Sequence, residues 1–226
     1  MGMAGMGEYC AANFFGSGFA EATGEAYVHA FYLAASGGGA KHDHDGIPHM
    51  FGACIMGNMG YESIELVELA RPLIVWDVSA VPDSGGAGTF RGATGVSQTI
   101  QPRDHTMHLN YCGSGHTCPA FGLEGGEAGF GAAHRIAAQA SGEIITELDN
   151  AGSADVSAEQ TWIASTGGGG GYGDPMARDV NAVIDDVVDG FVSQDAARDI
   201  YHVCLNWRDG EWHHDAAATS ALRGAS

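Results

Sequence analysis

Positive charge is scarce in this sequence. Lysine occurs once, at Lys41, and nine basic side chains stand against 28 acidic ones in 226 residues, a formal net charge of −19. Nucleic acids and anionic membrane surfaces are recognised through basic patches, so no nucleic acid and no membrane is expected as a partner. No apolar run approaches the roughly 20 residues that cross a bilayer. The opening MGMAGMGE has neither the basic start nor the apolar stretch of a secretory signal, which predicts a cytoplasmic protein. Regular cysteine spacing is also missing. Cys10, Cys54, Cys112, Cys118 and Cys204 form an odd set, so thiols or metal ligands are expected rather than a disulfide framework.

Glycine, by contrast, is abundant, at 36 residues, and falls in clusters rather than at a period, which excludes collagen and solenoids. Five glycines in TGGGGGYGDPMARDV stand between a strand candidate, 161–166, and an amphipathic helix carrying Val180, Val183, Ile184, Val187 and Val188 on one face. The letters match GxGxxG at Gly168, Gly170 and Gly173. A dinucleotide site needs the helix to open at the last glycine, and here Asp174-Pro175 delays it. No Lys-Ser or Lys-Thr pair follows, so the run is not a P-loop either, and no cofactor-binding residue is assigned. The expectation is a segment passing so close to other backbone that a Cβ would not fit.

Strands are expected within 26–34, 73–78, 96–100 and 143–148, whereas 62–69 is ambiguous between strand and helix and 102–131 reads as loop. From 176 the chain reads as helical, with Gly190 placed to end one helix and Ser193 to cap the next through Asp199. The predicted class is α+β: a single domain over 1–226, strand-rich with glycine-rich loops in its first two-thirds, and a helical tail over about 176–200.

Two clusters hold metal-ligand chemistry. His105, His108, Cys112, His116 and Cys118 bring imidazole and thiol together within a short stretch, a donor set that suits a structural Zn²⁺; buried cysteines and surface histidines are the alternative. The weaker set, His42, His44 and His49, lacks zinc-site spacing and also reads as a polar loop. Ser84 has no strand–G-x-S-x-G elbow around it, and no Ser/His/Asp or Cys/His arrangement is legible.

Four stretches in order resemble the C-terminal part of the hydantoinase B/5-oxoprolinase family, whose members include large subunits of ketone carboxylases. They are Ser36-Gly37-Gly38-Gly39 with Asp45-Gly46; LVELARP over 66–72; Pro82-Asp83-Ser84-Gly85-Gly86-Ala87-Gly88-Thr89-Phe90-Arg91-Gly92, where Ala93 replaces a final glycine; and 166–175 with the DGFVS and AAR segments at 189–198. The resemblance implies a subunit of an ATP-dependent complex. ATP binding belongs to an actin-like ATPase partner of the hydantoinase A type, and a divalent metal (Mn, Zn or Mg) to an N-terminal half whose HGD, GTH-x-x-D and HH-x-D-x-GG motifs do not occur here. A second chain carrying that half is therefore an expected partner. The stretch 48–57 leans toward ketone carboxylases; an ATP-dependent hydantoinase or 5-oxoprolinase-type amidohydrolase, or a non-catalytic scaffold subunit, is the alternative. Arg91, inside the third stretch, is the one catalytic candidate, able to grip a carboxylate or phosphate; tying its glycine turn to a neighbouring carbonyl or to Asp83 is its structural alternative.

Overall fold

Strands, clearest where apolar and polar side chains alternate as in 107–112, build two antiparallel sheets. The computed structural model describes residues 2–5, 15–51, 57–58, 62–113 and 115–224. In chain order its elements are β1 (Phe15–Ala20), β2 (Glu25–Ala30), β3 (Met50–Phe51), β4 (Gly57–Asn58), α1 (Ile64–Ala70), β5 (Leu73–Ala80), β6 (Val96–Pro102), β7 (Met107–Cys112), β8 (Ala133–Ala138), β9 (Ile144–Leu148), β10 (Ala151–Val156) and β11 (Gln160–Ser165). After a 3-10 turn, Pro175–Ala177, come α2 (Val180–Val188), α3 (Gln194–Asp199), β12 (Leu205–Arg208), β13 (Glu211–His214) and α4 (Ala216–Gly224). The strand orders are β10-β7-β1-β2 and β5-β6-β11-β8-β9, and β3-β4 and β12-β13 are separate hairpins. Among the described residues no helix is long and apolar enough to cross a membrane.

The class is α+β as expected, with two corrections inside it. The 102–131 segment contains β7, whose Met107, Leu109 and Tyr111 turn inward while His108 and Asn110 turn out. The tail after 200 is not all helix: Asp209 (φ 53°) and Gly210 (φ 86°) turn the β12-β13 hairpin. Between the sheets lies one core of Phe31, Leu33, Ile100, Leu109, Ile136, Trp162 and their neighbours. A second cluster, Val183, Val187, Val192, Ala197, Tyr201, Val203 and Leu205, packs the tail against Ala87.

Neither sheet holds the glycine run. Residues 166–171 are buried in an extended rod outside the named strands. Its amide donors reach out with a period of three: Thr166, Gly169 and Tyr172 donate to the carbonyls of Val96, Ala93 and Phe90, each at 2.9 Å. Gly168 and Gly171 donate to Phe130 and Glu127, and the carbonyls of Gly167 and Gly170 accept from Gly37 and Ala40. Three residues per turn without internal hydrogen bonds is the geometry of the polyproline-II helix, whose polar groups project in three directions. Here they are met by the backbones of 2–5, 36–40, 84–87, 90–96, 120–123 and 126–130, which surround the rod. Rods at this spacing leave no room for a Cβ: one added at Gly169 would stand 2.0 Å from the Gly38 carbonyl oxygen.

Gly169→Ala should therefore cost more than about 4 kcal/mol in urea unfolding, or abolish folding, because only backbone lies in the way. Gly142→Ala, at φ +70° with nothing within 4 Å, meets only the backbone strain of a left-handed turn and should cost far less. The core also carries a pH dependence. Burial, then the neighbouring His116, pushes His134 from 6.5 down to about 4. Its contribution is complete above pH 6.5 and is lost as pH falls to about 4, roughly 3 kcal/mol. His134→Phe should flatten that part of a stability–pH curve.

Candidate functional site

Four charged side chains meet where the glycine rods join the helical tail. Asp45 comes from the DG segment, Arg91 from the rod 90–96, Arg178 from just after the 3-10 turn, and Asp186 from α2. Arg178 grips Asp45 through two bonds of 2.7 Å and also bonds Asp186 Oδ2 at 2.8 and 3.1 Å. Arg91 bonds Asp186 Oδ1 through Nε and Nη2 at 3.1 and 3.0 Å, and donates to the Gly92 carbonyl at 2.7 Å. Its amide donates to Asp45 at 2.7 Å. Burial would raise the Asp45 pKa, but the Arg178 bonds and the Arg91 amide outweigh it and hold the carboxyl below its usual range. The Asp45 contribution is thus present above pH 3.8 and disappears as pH falls through the depressed value.

Arg91 is accordingly engaged on all sides. Its carboxylate partner is Asp186, whereas Asp83 accepts the amide of Ser193 at 2.8 Å and caps the approach to α3. The Arg91 guanidinium also lies 5.1 Å from the centroid of the Phe191 ring.

Phe191 in turn lines a cavity of about 440 Å³. Leu33, Ile64, Val78 and Val96 supply apolar walls, and His49, Glu62, Ser79 and Thr94 the polar groups. A volume of this order suits a small organic molecule. His49 sits at φ 63°, an uncommon backbone for a non-glycine residue, and burial lowers its pKa, so the imidazole is neutral near pH 7. Glu62 accepts the Tyr32 amide at 3.3 Å and lies 3.3 Å from His29 Nε2.

The other sequence-singled residues are dispersed. The two-residue period of β7 turns His108 outward to pair with Asp155, and His105 is buried with its Nε2 2.7 Å from the Tyr27 hydroxyl. Cys112 ends β7, Cys118 is exposed, and the His116 ring faces His134 at 5.3 Å. His42 and His44 flank the exposed Asp43, away from the cavity that His49 lines. Among the described residues no three His, Cys, Asp or Glu side chains converge as a metal site, so the residues present do not fit the divalent metal of the family. Nor does the glycine run fit phosphate, because the amides of Gly168, Gly169, Gly170 and Gly171 are all spent on backbone carbonyls. Cys10 and Cys54 lie outside the described residues.

Comparison with known proteins agrees with this architecture. The profile of the hydantoinase B/oxoprolinase family matches residues 2–175, and the chain belongs to that family. It is 36% identical to the caprolactamase subunit beta of Pseudomonas jessenii over 84% of this chain, and 30% identical to the acetone carboxylase alpha subunit of Xanthobacter autotrophicus over 87%. It spans only about a third of these relatives, 32% and 29% of their lengths. The crystal structure of the ATP-dependent caprolactamase superposes with a TM-score of 0.81 over 98% of this chain and 38% of that one, at 26% identity. Nucleotide-free acetone carboxylase superposes with a TM-score of 0.71 over 94% and 32%, at 27% identity.

Removing the shared carboxylate would leave the buried Arg91 guanidinium without an anionic partner, while Arg178 would keep only Asp45. Asp186→Asn should destabilise by about 3–5 kcal/mol in urea unfolding. Arg135→Ala, which breaks the exposed pair with Glu147, should cost under about 1 kcal/mol.

Proposed function

We propose that this chain is part of a subunit of an ATP-dependent cyclic-amide hydrolase. The observation that carries the reading is the greater likeness to the caprolactamase subunit, 36% against 30% in sequence and TM-score 0.81 against 0.71 in structure. The stretch 48–57 points instead toward ketone carboxylases, but residues 52–56 of it lie outside the described residues. The relatives' similarity favours the hydrolytic side.

Hydrolysis adds water across a C–N bond: hydroxyl to the carbonyl carbon, a proton to the leaving nitrogen. In the 440 Å³ cavity the neutral His49 is suited to take the proton from water and return it to nitrogen, while the apolar walls seat the ring of a cyclic amide. ATP and a divalent metal enter through other parts of the complex. The proposed partners are an actin-like ATPase subunit of the hydantoinase A type and a segment or chain carrying the metal-binding half.

The assembly purified from its own source should open ε-caprolactam, hydantoin or 5-oxoproline in an ATP-dependent reaction. His49→Gln should lower kcat by about 10²-fold or more with the assembly intact. Labelled bicarbonate incorporated into acetone or acetophenone, with no ring opening, would contradict the hydrolytic reading and favour the carboxylase one. An intact assembly with neither activity would favour a scaffold.

A further inference from the structure

Arginine is scarce enough here that two on one cavity call for an account. A separate cavity of about 300 Å³ is lined by Arg71 and Arg103 together with Tyr27, Glu25, Glu68 and Asp104. The Arg103 amide donates to the Pro72 carbonyl at 2.9 Å, which fixes the two arginine segments side by side. Each guanidinium is steadied by backbone: Arg71 donates to the Ala70 carbonyl at 3.0 Å, and Arg103 to that of Leu73 at 3.3 Å. The arginine–carboxylate pairs of the described residues use Arg91, Arg135, Arg178 and Arg198 instead. Arg71 Nε is buried with no hydrogen-bond partner.

Of the nearby carboxylates, Asp104 is engaged through both oxygens and Glu68 through one. Asp104 Oδ2 accepts the Ala22 amide at 3.3 Å, and Oδ1 lies 3.2 Å from His105 Nδ1. The opposite ring nitrogen lies 2.7 Å from the Tyr27 hydroxyl; a hydroxyl donating there leaves Nδ1–H to donate to Asp104. Glu68 Oε1 accepts the Val75 amide at 2.8 Å. Two guanidiniums thus line one cavity with no direct ion pair among the described residues, beside carboxylates on the same walls, in a chain of net charge −19. Capping the C-terminal end of α1 accounts for the position of Arg71 but not for that of Arg103.

We propose that this cavity binds a small amino carboxylate, its carboxylate on the Arg71 and Arg103 guanidiniums and its ammonium facing Glu25 and Glu68. A simple anion would meet carboxylates as well as guanidiniums on these walls; a molecule bearing both charges is complementary to both. Opening a cyclic amide yields such a molecule, with one carboxylate and one amine, whereas carboxylating a ketone yields a carboxylate alone. The origin of the ligand rests on the hydrolytic reading; its binding does not.

The test is calorimetric titration of the full chain, in the assembly it purifies in and without ATP, with 6-aminohexanoate, hexanoate, hexylamine and inorganic phosphate. Saturable binding of 6-aminohexanoate, at least about tenfold tighter than the other three, is expected. Arg103→Gln and Glu25→Gln, both at exposed positions where folding is not at stake, should each weaken it by about tenfold or more. No saturable binding, hexanoate or phosphate bound as tightly, or affinity unchanged in Arg103→Gln would overturn the proposal. Because no turnover is read, amide hydrolysis can fail while the binding stands, and binding can fail while hydrolysis stands.

Discussion

Around the rod at 166–172 backbone meets backbone, and the loops of both sheets take their places against it. Every segment that touches it comes from a different part of the chain, and most amide and carbonyl groups of the rod are bonded by those segments rather than by a helix or sheet. Side chains would separate the rods and break the bonds, so glycine is a packing requirement here, as it is at the axis of collagen. The contacts are also long in sequence: Thr166 Oγ1 bonds the Ala35 carbonyl 131 residues away. Such a centre forms only when the flanking sheets have brought their loops together, which implies slow, non-local folding.

The ionic clamp follows from that centre. Asp45, Arg91 and Arg178 leave the bundle at its edge, and Asp186 offers one oxygen to each arginine, so α2 is held against the glycine rods. Arginines used in this way are structural; they position Phe191 and hence one wall of the 440 Å³ cavity. Arg71 and Arg103 differ in kind, for they are steadied by backbone carbonyls and make no direct ion pair among the described residues, although carboxylates line the same cavity.

Much of this was legible in the sequence wherever a local rule governs. Clusters such as SGGG, DSGGAG and GGGGYGDP signal close backbone approach, and Ser193 caps α3 as its position suggests, its hydroxyl accepting the Ala196 amide at 3.1 Å. The strands β5, β6, β9 and β11 lie within a few residues of their expected bounds. β7 carries an equally plain alternation, Met107-His108-Leu109-Asn110-Tyr111, hidden by the histidines and cysteines around it. The proposed zinc ligands are dispersed because only His108 and Cys112 lie on β7, whereas His105, His116 and Cys118 sit in the segments on either side of it. The clamp was beyond sequence reading: Asp186 looks like one more acid on an acidic helix until the fold sets it against two arginines 95 and 8 positions away.

The glycine rod is bonded as firmly as the central strands although it belongs to no regular helix or sheet. Native-state hydrogen exchange tests it directly. The amides of Gly168, Gly169, Gly170 and Gly171 should exchange as slowly as those of the central strands β6 and β11, opening only with global unfolding. Exchange as fast as in the exposed turn at Gly142 would mean that the rod is loosely held and would leave the two sheets as the sole source of order.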